Sequence, residues 1–159
     1  MNPTASEIDL DRWMPQVVQN VFELMLTLPV CISDRPTPMP DERVSGTISI
    51  VGDRVNGAVY LHFPEPLARH ATELMLGLST ADEADTASVN DVISELSNMV
   101  GGGLKSLMCD AGWDCAMSTP AILRGPACTF ELEADTRTKL MNFSAGAETL
   151  VVEVHLKVN

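Results

Sequence analysis

The most regular pattern of hydrophobic and polar positions lies between Ser88 and Met108 and predicts a long amphipathic helix. Apolar residues recur there at spacings of three and four, which is the periodicity of a helix that buries one face. These positions are Val89, Val92, Ile93, Leu96, Met99, Val100, Leu104, Leu107 and Met108. Ser88 is a candidate N-cap, with Asp91 as a weak partner in a capping box. We expect the rest of the chain to be organised around this helix.

Two further helices are predicted before the long one. The first spans about Asp9–Thr27 and is ended by Pro29. The second starts in the turn that contains Pro66 and finishes near Gly77, because proline favours the first helical turn and glycine the end of the last. The acidic segment Ser79–Ala87 is interpreted as a linker to the long helix.

Alternating polar and apolar residues predict the strands of one sheet. The clearest pair is a hairpin of Val44–Val51 and Gly57–Phe63, and the proline-rich stretch Ser33–Arg43 before it predicts a loop. The other predicted strands are Val30–Ile32, Cys115–Thr119, Ala121–Leu123, Cys128–Glu133, Leu140–Ser144 and Leu150–Val158. We therefore expect a single domain over residues 1–159, an α/β fold of the α+β type. Its sheet should be mixed but largely antiparallel, with helices packed on one face.

Composition argues against several classes of function. The 159 residues include 10 Lys and Arg against 22 Asp and Glu, a formal net charge of -12. No basic stripe is present to neutralise the phosphates of nucleic acid or of an anionic membrane. The 4 cysteines contain no Cys-x-x-Cys pair, and with 3 scattered histidines they form no zinc pattern. With no apolar run of membrane-spanning length and no signal-peptide pattern, we expect a cytoplasmic protein with reduced thiols.

The polar face of the long helix carries the candidate chemistry. Residues at offsets of three and four stack along one side of it, namely Asp91, Glu95, Asn98, Gly102 and Lys105. Three consecutive glycines, Gly101–Gly103, each lower helix stability by roughly 1 kcal/mol relative to alanine. Such a run indicates close approach to the helix backbone, either by another element of this chain or by a partner. The glycines alone leave both interpretations open.

Glu95 and Asn98 differ as a pair from either residue alone. Taken singly, Glu95 is interpreted as a solvated carboxylate on a helix, and Lys105 as a solvated lysine. Three residues apart, the carboxylate and the amide project together, so the first can bind a lysine while the second holds a water. That combination suits hydrolysis of a phosphoryl group, in which catalysis is mainly positioning. No Walker-type loop or Gly-x-Ser-x-Gly elbow is present, and the histidines are interpreted as structural or surface residues.

The chain resembles the CheX-like family of bacterial chemotaxis phosphatases, which is related to CheC and FliY. The resemblance rests on the polar face just described, on Ser118, Thr119 and Pro120 after the helix, and on Val44–Gly46 and Gly57–Pro64 before it. It extends to the order of elements over nearly the whole chain. The single intact Glu-x-x-Asn pair favours the CheX type over CheC, and a third glycine, Gly103, and a turn with Trp113 depart from the pattern.

The resemblance implies dephosphorylation of the aspartyl-phosphate on a CheY-type receiver. It assigns Asn98 to holding the attacking water and Glu95 to pairing with the receiver's lysine. Contacts with the receiver would come from Asp91, Gly101, Gly102 and Lys105. It implies no cofactor in this chain, with any Mg²⁺ on the receiver, and a homodimer joined through its sheets. The strands Leu150–Val158 and Val44–Val51 are expected as edges for that pairing.

Two other interpretations compete with a phosphatase. One is a non-catalytic module that binds receivers without turnover. The other is an unrelated structural domain in which the Glu-x-x-Asn spacing is a coincidence. The intact Glu95 and Asn98 favour the phosphatase, since a module that only binds has no chemical reason to keep the pair together.

Overall fold

A computed structural model describes residues 7–35, 38–125 and 132–159 of the chain. The described residues form three α-helices, which are α1 (Leu10–Leu26), α2 (Glu65–Leu76) and α3 (Thr86–Asp110). They also form seven strands, which are β1 (Cys31–Ser33), β2 (Arg43–Val51), β3 (Val55–Pro64), β4 (Ala116–Met117), β5 (Ala121–Arg124), β6 (Arg137–Ala145) and β7 (Glu148–Val158). A short 3-10 turn, Ala81–Glu83, lies between α2 and α3.

The strands make one sheet in the order β1-β6-β7-β3-β2-β4, with β5 also paired to β2. Every described pairing is antiparallel, which confirms the predicted fold class. The expectation that β7 and β2 are edges is wrong. β7 lies between β6 and β3, and β2 lies between β3 on one side and β4 and β5 on the other. Strict alternation in β7 reports which side chains share a face of the sheet and does not reveal whether the strand is central or at an edge.

The helices cover one face of this sheet and enclose the core. Val44, Ile48 and Ile50 of β2 point toward the helices and are fully or almost fully buried. The Phe22 ring of α1 stacks on the Phe63 ring of β3 with centroids 6.1 Å apart. Burying a phenylalanine contributes about 1.5–3 kcal/mol, so such contacts fix where the helices sit on the sheet.

The long helix begins three residues earlier than the predicted cap at Ser88 implies. Its N-cap is Asp85, whose carboxylate accepts a hydrogen bond from the backbone N–H of Ser88 at 2.7 Å. That hydrogen bond lowers the pKa of Asp85 below its ordinary value. Ser88 is therefore inside the first turn and is not the cap. The predicted linker Ser79–Ala87 contains the 3-10 turn and the start of α3.

Two predicted strands differ from the structure. Cys115–Thr119 is reduced to the two residues of β4, and at the next residue the Ser118 hydroxyl accepts the hydrogen bond from the Ser49 N–H. The predicted strand Cys128–Glu133 falls mostly in 126–131, outside the described residues, and Leu132 and Glu133 are not in a strand. Within the part of the chain that the structure describes, no helix combines the length and the apolar character needed to cross a membrane.

Candidate functional site

The polar face of α3 forms a ridge on the surface, which we define as Asp91, Glu95, Asn98, Gly102 and Lys105. Asp91 and Glu95 are exposed, while the other three are half-buried. Within the described ranges, none of the four ridge side chains takes part in a hydrogen bond or an ion pair. Two carboxylates, an amide and an ammonium group on this ridge thus have no hydrogen-bond or ion-pair partner among the described residues.

The three glycines Gly101–Gly103 differ in their surroundings: two are packed against other elements and one faces open space. A methyl group on Gly101 would lie 3.1 Å from Ile48 Cγ2 of β2, and one on Gly103 would lie 2.7 Å from Val17 Cγ1 of α1. A methyl group on Gly102 would have no neighbour within 4 Å among the described residues. Two glycines therefore let α3 approach its own sheet and α1, while the third leaves the ridge bare beside Asn98.

Gly101 does not belong on the ridge. It is buried against Ile48, so the expectation that it contacts a partner is corrected by its position. Adjacent residues of a helix lie 100° apart, so one of Gly101 and Gly102 can face inward while the other faces outward. The glycine triplet alone does not show which of the two is buried, because that depends on how the helix packs.

A second close contact, between Ser97 and Gly46, holds α3 against the sheet and has no direct signal in the sequence. Ser97 is fully buried, and a methyl group on Gly46 of β2 would collide with its hydroxyl. The glycine of the Val44–Gly46 stretch is therefore needed for close packing of helix and strand. Because Ser97 precedes Asn98, this contact also sets the position of the ridge amide.

The turn after α3 is fastened to β2 by Ser118. Its hydroxyl accepts a hydrogen bond from Ser49 N–H at 2.9 Å and donates one to the Thr119 carbonyl at 2.9 Å. Its own N–H donates to the Ser49 carbonyl at 2.9 Å. The Ser118–Pro120 stretch singled out in the sequence is thus a structural clamp on the side of the sheet next to the ridge.

Trp113 anchors the C-terminal end of α3. Its backbone N–H donates to the Met108 carbonyl at 2.8 Å, and its side chain is 1% exposed. The Arg54 guanidinium lies 5.2 Å from the Trp113 ring centroid and also donates to the Gly112 carbonyl. The departure of this turn from the family pattern is therefore a packed element of the core.

A Ser-His-carboxylate chain lies on the opposite face of the sheet from the ridge. Ser45 Oγ is 2.7 Å from His62 Nδ1, and His62 Nε2 is 3.0 Å from Glu153 Oε1. His155 Nε2 lies 2.5 Å from the other Glu153 oxygen. The hydrogen bond from His62, together with that from His155, holds the pKa of Glu153 below its ordinary value against the opposing effect of burial. Ser45 is only 3% exposed, so the cluster is structural and leaves its serine without access to a substrate.

Known proteins supply three comparisons for this chain. The family model described as chemotaxis phosphatase CheX matches residues 44–144. Chemotaxis protein CheX from Vibrio vulnificus is 25% identical, with 97% of this chain and 100% of that chain covered and a TM-score of 0.81. A CheC-like superfamily protein from Shewanella sp. PV-4 is 26% identical, with 97% and 99% covered and a TM-score of 0.80.

The fold also matches CheX of Borrelia burgdorferi, whose structure contains CheY, BeF3 and Mg²⁺. That protein is 15% identical, with 94% of this chain and 99% of that chain covered and a TM-score of 0.75. No curated protein matches the sequence.

Proposed function

The chain belongs to the chemotaxis phosphatase CheX family, and we propose that it hydrolyses the aspartyl-phosphate of a CheY-type receiver with Glu95 and Asn98. The observation that carries this assignment is the ridge. Its carboxylate and amide have no partner among the described residues, and Gly102 beside them has no neighbour within 4 Å. We take the domain to span residues 1–159, wider than the 44–144 of the family model, since α1 and β7 complete the core.

Asn98 positions the water that attacks phosphorus. Its amide carbonyl accepts from the water and its NH₂ donates, so the water is held in place while keeping its protons. Phosphoryl transfer passes through a loose transition state with attacking and leaving oxygens in line, which leaves alignment as the main task. The glutamine that orients the attacking water in GTPases is a parallel case, since it also carries an amide.

Glu95 binds the receiver's lysine and fixes the docked geometry. It is one helical turn from Asn98, so a lysine held by the carboxylate places the phosphorylated aspartate next to the amide. Asp91 and Lys105 extend the contact along the same line, and the bare backbone at Gly102 admits close approach of the receiver.

Mg²⁺ belongs to the receiver in this proposal. Within the described ranges, this chain has no group of three or more His, Cys, Asp or Glu side chains arranged to hold a metal ion. The Borrelia burgdorferi structure, which contains CheX, CheY, BeF3 and Mg²⁺, supports a receiver partner and a metal in such an assembly. We place the reaction in the cytoplasm, where receiver domains are phosphorylated.

We also propose a homodimer joined through the sheet. Because β7 and β2 are interior strands, the pairing edge must be a terminal strand. β1 fits this role, since among the described strands it pairs with β6 alone and its Ile32 is 50% exposed. Light scattering of the purified protein tests this: a dimer supports the proposal, and a monomer at all concentrations contradicts it.

Phosphate loss from a receiver phosphorylated by a small-molecule donor tests the function. Asn98→Ala should reduce the acceleration about 100-fold or more with docking retained, because it removes one aligned group. Glu95→Ala should weaken docking as well as rate. Asn20→Ala and Glu23→Ala are matched controls, since this exposed amide and carboxylate lie three residues apart on α1.

Three outcomes separate the interpretations. If the wild type binds phosphorylated receiver without shortening its lifetime, the chain is a binding module. If no receiver binds, the chain is a structural domain in which the Glu-x-x-Asn spacing is a coincidence. If the α1 variants lose as much activity as the α3 variants, the ridge is not the site.

A further inference from the structure

Two free thiols meet where α3 ends. Cys109 lies one turn beyond Lys105, in the last turn of α3, and Cys115 follows the turn and precedes β4. Both are half-buried and unpaired by disulfide. The proposed phosphatase chemistry uses neither of them.

The backbone holds these two residues close together. The Cys109 thiol donates a hydrogen bond to the Cys115 carbonyl oxygen at 3.9 Å, which brings the Cys109 sulfur beside the backbone of Cys115. The turn between them is closed by Trp113 N–H on the Met108 carbonyl at 2.8 Å and Gly112 N–H on the Cys109 carbonyl at 3.0 Å. The juxtaposition is therefore built into the fold.

Cys115 is also held from its other side. A methyl group on Gly52, in the β2–β3 turn, would lie 3.2 Å from Cys115 Cβ, so the absence of a side chain there makes room for it. Cys31 offers a contrast, since it is exposed on β1 and has no thiol neighbour among the described cysteines. Cys109 and Cys115 thus differ from a lone surface cysteine.

We propose that Cys109 and Cys115 are a redox-sensitive pair that hydrogen peroxide oxidises to an intrachain disulfide, and that this disulfide weakens docking of the receiver at the Lys105 end of the ridge. The first part concerns the thiols alone. The second part rests on the proposed function of the ridge.

The oxidation balances with peroxide as the oxidant. The Cys109 thiolate attacks one peroxide oxygen, the O–O bond breaks, and the leaving hydroxide takes up a proton as water, which leaves a sulfenic acid on Cys109. The Cys115 sulfur then attacks the Cys109 sulfur, the S–S bond forms, and the hydroxyl group leaves as a second water with the Cys115 proton. Two thiols lose two electrons and two protons, and one peroxide becomes two waters.

The order of these steps follows from the surroundings of Cys115. Burial, with a contribution from the Cys109 thiol, raises the pKa of Cys115 to about 11. Asp114 adds to the rise and Lys105 opposes it. Cys115 is therefore protonated at neutral pH and serves as the resolving thiol, because peroxide reacts with the thiolate form. The rate of disulfide formation should rise with pH.

The disulfide alters the end of the ridge more than its centre. A disulfide bond is only about 2.05 Å long, so forming it should draw the last turn of α3 and the β4 segment together. Lys105 is in the adjoining turn. Asn98 is eleven residues from Cys109, about 16 Å along the helix axis. Oxidation should therefore raise KM for the receiver and leave kcat nearly unchanged.

The test uses the full chain carrying Cys31→Ser and Cys128→Ser, so that Cys109 and Cys115 are its only cysteines. After peroxide treatment, intact mass should fall by the mass of two hydrogen atoms and both thiols should resist alkylation. KM and the Kd for a BeF3-treated receiver should rise about two- to fivefold, the range expected when one exposed charged contact is lost. Dithiothreitol should restore the original values.

Single-cysteine variants are the controls. Cys109→Ser and Cys115→Ser should form no intrachain disulfide and should keep their KM after peroxide. If peroxide converts the thiols to sulfenic or sulfinic acids and no disulfide forms, the assignment of Cys109 and Cys115 as a redox pair is overturned. A disulfide that forms while KM and Kd stay constant overturns the regulatory part. Failure of the proposed phosphatase function is seen separately, as absence of turnover in the reduced protein, while mass and Kd still decide this proposal.

Discussion

Replacing the glycines of α3 with alanine, one at a time, separates packing within the chain from approach of a partner. Alanine gains roughly 1 kcal/mol over glycine in a helix interior. At Gly102 nothing offsets this gain, because a methyl group there has no described neighbour within 4 Å. Gly102→Ala should therefore raise the free energy of unfolding by up to about 1 kcal/mol.

The two flanking positions should respond differently. At Gly103 the methyl group would lie 2.7 Å from Val17 Cγ1, and a helical valine has one favoured rotamer and cannot swing aside. Overpacking of this kind costs about 1–3 kcal/mol, so Gly103→Ala should lose up to about 2 kcal/mol net. At Gly101 the contact with Ile48 is 3.1 Å, and we expect the two effects to cancel to within about 1 kcal/mol.

The assay measures the free energy of unfolding in urea and the affinity for the receiver for each variant. The expected order of stability is Gly102→Ala above Gly101→Ala above Gly103→Ala, with unchanged slopes of unfolding free energy against urea. Gly102→Ala should also dock the receiver more weakly, because its methyl group would stand where the proposed docking brings the partner close to the backbone. A Gly102→Ala variant that is more stable and turns over receiver like the wild type would show that no partner approaches there. Equal stability of the Gly102 and Gly103 variants would refute the packing account.

Two further predictions concern the helix cap and the buried histidine cluster. Asp85→Ala should lower the urea midpoint while Asp85→Asn largely preserves it, since only the first removes the acceptor of the Ser88 N–H. The lowered pKa of Glu153, caused first by the hydrogen bond from His62, contributes stability that is present above its ordinary value of 4.5 and is lost as pH falls through the folded value. Glu153→Gln should therefore flatten the acid side of a plot of stability against pH, and an unchanged acid side would contradict the role given to the cluster.

Periodicity predicts the helices and the central strands because each has a face that must be buried. Asp9–Thr27 and α1 agree to within one residue at each end, and the hairpin of β2 and β3 follows from alternation alone. The pattern misplaces the cap of α3 because Asp85 and Ser88 are both good cap residues, and only the backbone shows which one is outside the helix. It misplaces the sheet edges because alternation reports which face is buried and carries no information on lateral neighbours.

The exposed face of α3 is predictable from the sequence, whereas the packing beneath that face is not. Offsets of three and four place Glu95 and Asn98 together, whereas nothing around Gly46 in the sequence indicates that it receives Ser97. Contacts between positions fifty residues apart depend on how the elements pack, which no local spacing encodes. The expected contact of Gly101 with the receiver fails for the same reason, because the burial of Gly101 against Ile48 also depends on packing.

The packing of α3 bears directly on the chemistry proposed for its outer face. Where catalysis is chiefly alignment, an error of about 1 Å can reduce a rate 100-fold, so the helix that carries the amide must be held firmly. Asn98 is flanked by Ser97, which packs on Gly46, and is followed by Gly101 against Ile48 and Gly103 against Val17. These contacts bring the helix backbone close to both the sheet and α1, and close packing leaves little room for rotation about the helix axis. The three destabilising glycines are thus consistent with one requirement: two of them let the helix pack closely, and the third leaves the ridge open for the docking proposed above.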